Sequence, residues 1–357
     1  MGDMEDLRSQ IDGIDKRLVK LLNERAEAAL EISKFKQAKG APVYAPDREA
    51  SVLEGAAGQG KGPLPPAAIR SIYREIISAT RAMEKVVVVS YLGPAGTFTH
   101  QAARAHFGTA VQYVPSEDIE EVFQDVLKGK ADVGVVPIEN STGGVVSETL
   151  DTFMTCGLKI GAEIILEIHQ NLMGRCKIEE VKRVYSKPEA IAQCRRWLSE
   201  HLPHAELIPV ASTTAAAQEA GKGIGVAAIA SSEAAELYDL RILAENVEDH
   251  HENVTRFVVL GKKFGSATGH DRTSIMFAVK NRVGALYDML LPFKHHGINL
   301  TKIESRPSRT KAWDYIFFVD LEGHVEDAEV KAALAEVEEG CRYFQLMGSY
   351  PRADARE

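Results

Sequence analysis

Leu7, Ile11, Ile14, Leu18, Leu21, Arg25, Ala28, Ile32 and Phe35 follow one another at alternating intervals of four and three residues. That spacing predicts one continuous α-helix from about Asp3 to Lys39, with its apolar residues on a single seam. At ~1.5 Å per residue the helix is about 55 Å long. As far as Lys85 the chain offers only two further helices. One is short and follows Pro46; the other runs from about Pro65 to Lys85, and GAAGQGKGPLPP connects them. Two short helices cannot cover both ends of so long a stripe. A second copy of the chain is the expected cover, so residues 1–85 are predicted to form a helical dimer.

Two cations share this long helix face. Arg25 occupies a seam position, which is costly unless the guanidinium meets an anion. Lys36 follows 11 residues later, almost three turns on. An ion pair with an acidic side chain and the binding of an anionic ligand both satisfy this pattern. On the third helix Ile69, Tyr73, Ile76 and Thr80 share a face with Met83 or Glu84. Thr80 and Glu84 give it a polar end, and a cap or a solvated role accounts for Glu84 taken alone.

After Lys85 the period changes. VVVVSYLG (86–93) reads as a buried strand, and GPAGTFTHQAARAHF follows as loop and helix. Several further apolar strands each run into a Ser- or Thr-containing turn and a helix: RVYSKPEAIAQCRRWL, ELIPVASTTAAAQEA and GVAAIASSEAAELY. This is α/β architecture. The turns fall in two clusters, which predicts two lobes with a cleft between them at the C-terminal ends of the strands. The strand VTRFVVLG (254–261) comes after the second cluster and is expected to return to the first lobe. Residues 263–271 read as a linker. The remainder reads strand (272–279), helix (283–296), strand (298–305), strand (313–321), helix (326–338), strand (341–349), the order of an α+β ferredoxin-like module. PRADARE is expected to fray.

Composition narrows the partners. The 357 residues are 45% hydrophobic and 26% charged, so the chain is globular. No apolar run approaches the ~18 residues of a membrane span. The acidic start, MGDMEDLRSQ, lacks the apolar core of a secretory signal, and a cytoplasmic protein is expected. The net charge of -9 argues against nucleic acid. Residues 1–85 carry 14 basic and 13 acidic side chains, a net of +1, so the acidity lies in the rest and the first module can take a small anion. The four cysteines are scattered, with no zinc or redox spacing. The glycines form no P-loop or dinucleotide fingerprint. No metal and no cofactor is expected.

LRSQIDGIDKRLVKLLNERAEAALEISKFK followed by PVYAPDRE resembles the all-helical class of chorismate mutase. The resemblance implies that Arg8, Arg25, Lys36, Arg48 and Glu49 line the site, with Arg8 reaching over from a partner subunit. It also implies a hydroxyl residue at Thr80 and a Gln or Glu at Glu84. Ala45 stands where the family often has a carboxylate. The reaction is a pericyclic rearrangement of a dianion, so the protein needs only to hold the compact conformer and stabilise charge on the ether oxygen. Arginine forks suit the carboxylates. Lys36 and a protonated Glu84 suit the ether oxygen, since a carboxylate only accepts.

GPAGTFTHQAA, VPIENSTGG, STTAAA and ENVTRF make residues 86–262 similar to prephenate dehydratase. The family pattern carries to Thr97, Asn140, Ser141, Gln193 and Thr213 as substrate-binding residues. It carries to Thr255, Arg256 and Phe257 as catalytic ones. Lys187 and Glu189 depart from the His and Gln of many relatives. Thr255 is the expected donor to the departing ring hydroxyl; a water or a carboxyl supplies the proton. Arg256 is expected to orient a carboxylate. For Phe257, packing on the substrate ring and plain core packing are both open.

GALY and ESRP make residues 272–350 similar to an ACT regulatory domain. The resemblance implies that Gly284, Ala285, Leu286, Glu304, Ser305, Arg306 and Pro307 bind an amino acid, phenylalanine, where two such modules pair. Together the three resemblances imply a bifunctional enzyme of phenylalanine biosynthesis acting on chorismate and prephenate, as a homodimer or higher homo-oligomer. Arogenate dehydratase and a non-catalytic amino-acid sensor are the rival readings.

Overall fold

The computed structural model describes residues 2–38, 43–250, 252–279, 282–307 and 315–353. The expected first-helix end at Lys39, the start of a strand at residue 313 and the last four residues of the tail lie outside them. The chain separates into two compact units: Met1–Val87 with Phe107–Gln112, and Val88–His106 with Tyr113–Glu357.

The first unit is helical. Helix α1 spans Gly2–Ala38, α2 Pro46–Gln59 and α3 Pro66–Glu84. Proline opens both α2 and α3, where its missing N–H costs nothing. Helix α3 packs against both α1 and α2. The stripe on α1 stays bare towards its N-terminal end: Leu7 is 58% exposed, and Ile11, Ile14 and Leu18 are also exposed. At its other end Phe35 is 71% exposed.

The second unit begins with β1 (Val88–Leu92), α4 (Phe98–Phe107), β2 (Gln112–Ser116), α5 (Ile119–Leu127), β3 (Val133–Asn140), β4 (Gly144–Val145), α6 (Ser147–Phe153) and β5 (Lys159–Glu167). It continues with β6 (Asn171–Gly174), β7 (Arg183–Ser186), α7 (Pro188–Gln193), α8 (Arg195–His201), β8 (Glu206–Pro209), α9 (Thr213–Ala220), β9 (Val226–Ala230), α10 (Ser232–Leu237) and β10 (Arg241–Ala244). Strand β11 (Val254–Gly261) then returns to the first sheet, whose order is β2-β1-β3-β11-β5. It pairs antiparallel with both β3 and β5. The second sheet has the order β10-β6-β9-β7-β8. Two lobes therefore share one chain, joined by one crossover at 168–170 and a second that runs from 245 to 250 and through 252–253 to β11. The crossovers bond to each other: Val247 N donates to Gln170 O at 2.8 Å, and Ile168 N to Asn253 O at 2.7 Å.

The serine-containing turns of the second lobe cap helices. Ser212 Oγ accepts from Ala215 N at the start of α9, and Ser231 Oγ from Ala234 N at the start of α10. The first lobe has one continuous core. Phe123, Phe153, Val136, Leu150, Val258 and Leu260 belong to it, and Met276, Phe318, Met347 and Tyr350 enter it from the C-terminal module.

That module is β12 (Asp271–Ala278), α11 (Ala285–His295), β13 (Leu300–Pro307), β14 (Tyr315–Glu322), α12 (Ala328–Gly340) and β15 (Tyr343–Pro351). Its sheet has the order β13-β14-β12-β15, antiparallel throughout. One face carries α11 and α12; the other lies on the first lobe. Contact is so close that a Cβ on Gly348 would fall 2.2 Å from Ile160 O, so only glycine lets β15 lie against β5. Among the described residues no helix is long and apolar enough to cross a membrane.

Candidate active sites

In the helical unit the α1–α3 seam brings Arg25, Thr80 and Glu84 together. Arg25 Nη1 donates to Thr80 Oγ1 at 3.3 Å, and that hydroxyl donates to Ile76 O at 2.7 Å, one turn earlier. Glu84, one turn further on, has its Oε1 buried with no partner among the described residues. Lys36 is half-buried and close enough to act on the charge of Glu49.

Glu49 has a further partner that the sequence did not suggest. Arg81, in the last turn of α3, donates from Nη1 to Glu49 Oε1 at 2.7 Å. Its Nη2 donates to Phe107 O at 2.9 Å, and its guanidinium lies over the Tyr44 and Phe107 rings. Burial pushes the Glu49 carboxyl up, and Arg81 pulls it back. Arg48, the residue before Glu49, is exposed. Arg8 is exposed and lies about 25 Å along α1 from Arg25, so the two do not meet within one chain.

In the first lobe of the second unit, Thr255 stands in register with Asn140 across the β11–β3 ladder. Asn140 Nδ2 donates to Thr255 Oγ1 at 2.7 Å and to Asn253 Oδ1 at 2.7 Å. Asn140 Oδ1 accepts from Thr142 N, Thr142 Oγ1 and Gly143 N, which folds the IENSTGG turn around it. Ser141 spends its hydroxyl on the backbone: Oγ donates to Glu252 O at 3.0 Å and accepts from Val254 N at 2.9 Å. It is thus a clamp between the turn and the second crossover. Thr97 ends the turn after β1, the neighbour of β3. Its Oγ1 donates to Leu92 O and accepts from His100 N, which fixes the start of α4.

The opposite lobe supplies Thr213, at the N-terminus of α9 beside the cap Ser212. The two lobes touch where Ser231 Oγ donates to Gly96 O at 2.8 Å and where Arg104 pairs with Glu233. Gln193 lies at the crossovers instead. Its Oε1 accepts from Gln170 Nε2 at 3.3 Å, and its carbonyl accepts from Asp249 N.

Arg256 departs from expectation, and Phe257 takes one of its two open readings. Successive side chains of a strand point to opposite faces, so Arg256 cannot share the face of Thr255. Its Nε donates to Glu163 Oε2 at 2.7 Å, its Nη1 to Asp320 Oδ2 at 2.5 Å and its Nη2 to Tyr350 Oη at 2.8 Å. With all three nitrogens engaged, Arg256 ties β11 to the C-terminal sheet rather than facing a substrate carboxylate. Phe257 is 1% exposed, which selects core packing over ring stacking.

The C-terminal residues also divide by face. Strand β13 alternates, with Lys302, Glu304 and Arg306 half-buried towards the first lobe. Arg306 makes a fork to Asp151 at 3.1 and 3.0 Å and reaches Ser147 Oγ, so it is an inter-module pin and not an open ligand group. Lys302 Nζ donates to Glu139 Oε2 at 2.8 Å, beside Asn140. Ser305 and Pro307 are exposed on the other face. Gly284, with φ +77°, starts α11; Ala285 is buried and Leu286 packs at the edge of the module core.

Known proteins match this arrangement in the same order. Residues 7–85 match chorismate mutase type II, residues 89–264 prephenate dehydratase and residues 273–339 the ACT domain. A bifunctional chorismate mutase/prephenate dehydratase of Aquifex aeolicus is 46% identical, with all of both chains covered. One of Pseudomonas aeruginosa is 42% identical over 98% of each. The solved prephenate dehydratase of Arthrobacter aurescens, in complex with L-Phe, superposes with a TM-score of 0.70 at 35% identity, covering 76% of this chain and 91% of that one. With three modules matched in order and a full-length relative at 46% identity, the chain belongs to the bifunctional chorismate mutase/prephenate dehydratase family.

Proposed function

We propose that the chain rearranges chorismate to prephenate in its helical unit and converts prephenate to phenylpyruvate at the edge of the first α/β lobe. The observation that carries the second half is the 2.7 Å bond between Asn140 and Thr255, a hydroxyl held at the C-terminal edge of the sheet. In the reaction the bond to the ring carboxylate breaks and its electron pair enters the ring. The C–O bond to the ring hydroxyl breaks, and that oxygen leaves with its pair. Carbon dioxide, water and the aromatic product result. Thr255 donates a hydrogen bond to the departing oxygen, and a solvent proton completes the water. Thr97, Ser141 and Thr213 shape the surrounding turns.

In the helical unit Arg25 and Lys36 hold the dianion, and Thr80 orients Arg25. Arg8 comes from a second copy, because it lies a helix-length away in its own. The bare stripe of α1 supports the same dimer. Glu84, with its Oε1 buried and no partner among the described residues, stands at the polar end of the α3 face, and Glu84→Gln, which supplies an amide donor there, keeps mutase turnover.

Phenylalanine inhibits the dehydratase through the C-terminal module, binding where two such modules pair. It must favour one arrangement of the module over another to shift activity. Lys302, Arg306 and the Asp320–Arg256 pair are the links through which the module reaches β3, α6 and β11. The purified protein, supplied with chorismate, should form phenylpyruvate, and phenylalanine should slow the second step. Accumulation of prephenate without phenylpyruvate would refute the dehydratase assignment; no consumption of chorismate would refute the mutase.

A further inference from the structure

Asn140 sits where the direction of each hydrogen bond can be worked out. Its side chain approaches the backbone nitrogens of Thr142 at 3.0 Å and Gly143 at 2.7 Å. Backbone N–H groups only donate, so the atom facing them is the carbonyl oxygen and the other is the NH2. That NH2 has two hydrogens, and two acceptors lie at 2.7 Å, Asn253 Oδ1 and Thr255 Oγ1. Thr255 therefore accepts from Asn140, and its own hydrogen points elsewhere. No acceptor among the described residues takes it. The same logic turns the Asn253 NH2 away from Asn140, and it too has no acceptor among the described residues.

We propose that Asn140 is a positioning residue that aims two donors at the leaving oxygen of prephenate: the Thr255 hydroxyl hydrogen and the Asn253 amide. This rests on the reading of Thr255 as the donor. A hydroxyl has one hydrogen. Beside a neighbour able to accept, it would donate there and be lost to the substrate; the donor-only face of Asn140 removes that competition. Asn253, 3% exposed, and Thr255, 8% exposed, are held by the same amide and need no rearrangement to act together.

Steady-state dehydratase kinetics on the full chain test this with Asn140→Asp, Thr255→Val, the double variant and Asn253→Asp. Aspartate at 140 still satisfies the turn but only accepts, so it draws the Thr255 hydrogen to itself. Asn140→Asp and Thr255→Val should each lower kcat at least ~50-fold with KM within about 3-fold, and the double variant should be no worse than the poorer single. Aspartate at 253 keeps the acceptor that a scaffold needs and loses the donor, so its kcat should fall roughly 10-fold. An Asn140→Asp kcat within about 3-fold of the parent would overturn the proposal, as would single losses that multiply in the double variant. Should Asn140→Asp lose the parent's circular dichroism, Asn253→Asp decides, and an unchanged kcat there overturns it. An unchanged Thr255→Val kcat would instead remove the reading of Thr255 on which the proposal rests.

Discussion

Helix α1 leaves its apolar seam open from Leu7 to Phe35, whereas strand β11 buries six consecutive residues, Thr255–Leu260, between two neighbours and two covered faces. The helix makes its own hydrogen bonds and can exist half-covered; the central strand cannot, because its backbone groups need partners on both sides. The difference extends to the candidate sites. Asn140, Thr255 and Asn253 assemble within one chain. Arg25, Thr80 and Glu84 assemble too, but Arg8 stays far down the helix. One unit holds all its proposed groups in one chain, and under the proposed dimer the other takes Arg8 from a second copy.

Complementation breaks this contrast most directly. Arg8→Ala and Arg25→Ala homodimers should each lose nearly all mutase turnover. Mixed dimers then hold one intact site in two, so mixed chains should recover about a quarter of parental activity. No recovery after verified subunit exchange would place Arg8 outside the partner's site. Dehydratase activity should be unaffected in every mixture.

The second unit should fail at its buried charges. Burial alone would raise the Asp320 carboxyl; Arg256 and Ser274 outweigh it and hold it below the usual carboxylate range. A lowered folded value means stability that is present above the unfolded value and is lost as pH falls through the folded one. Asp320→Asn leaves Arg256 with a missing partner in a dry interface and should cost on the order of 3 kcal/mol near neutrality, less in acid. Denaturation midpoints at pH 7 and pH 3.5 check this; equal losses at both would show that the charge of Asp320 contributes nothing.

A subtler effect is expected at the pin between β13 and α6. Arg306→Ala and Asp151→Ala remove opposite ends of one fork. Each should weaken phenylalanine inhibition several-fold, and together they should weaken it no further. Additive effects would mean that Arg306 meets the effector itself. The smallest effect belongs to the crossovers. Glu248, by its hydrogen bond, raises the His169 pKa; partial burial opposes this and Glu167 adds to it. Stability from a raised histidine is complete below its unfolded value and disappears as pH rises through the folded one. His169→Gln should therefore lower the unfolding temperature by a degree or so at pH 6 and hardly at all at pH 8.5. An equal drop at both pH values would reduce His169 to packing.

Element order was readable because period and length change sharply along the chain. The stripe of α1 and the β-α-β-β-α-β order at the end follow from spacing, and the return of β11 to the first lobe from its place after the second cluster of turns. Side-chain directions were harder. ENVTRF named Thr255 and Arg256 together, although a period of two sets them on opposite faces and pairs Thr255 with Asn253 instead. The period of two is legible in the sequence itself. Arg81 had no such signal: its partner Glu49 is 32 residues away on another helix. Asp320 and Lys302 likewise acquire meaning only when two sheets are laid together.

Lobe two is threaded into lobe one between β5 and β11, and this sets an order of events on the ribosome. Strands β3 and β5 emerge long before the strand that separates them. At ~5–20 residues per second, the interval from Glu167 to Val254 keeps their edges unpaired for roughly 4–17 s. During that time the 171–244 segment has everything its own sheet needs and can close first, which shortens the loop that β11 must later span. The first lobe is thus early in translation and late in folding. Its exposed edges make the nascent chain, rather than the finished enzyme, the form most in need of a chaperone.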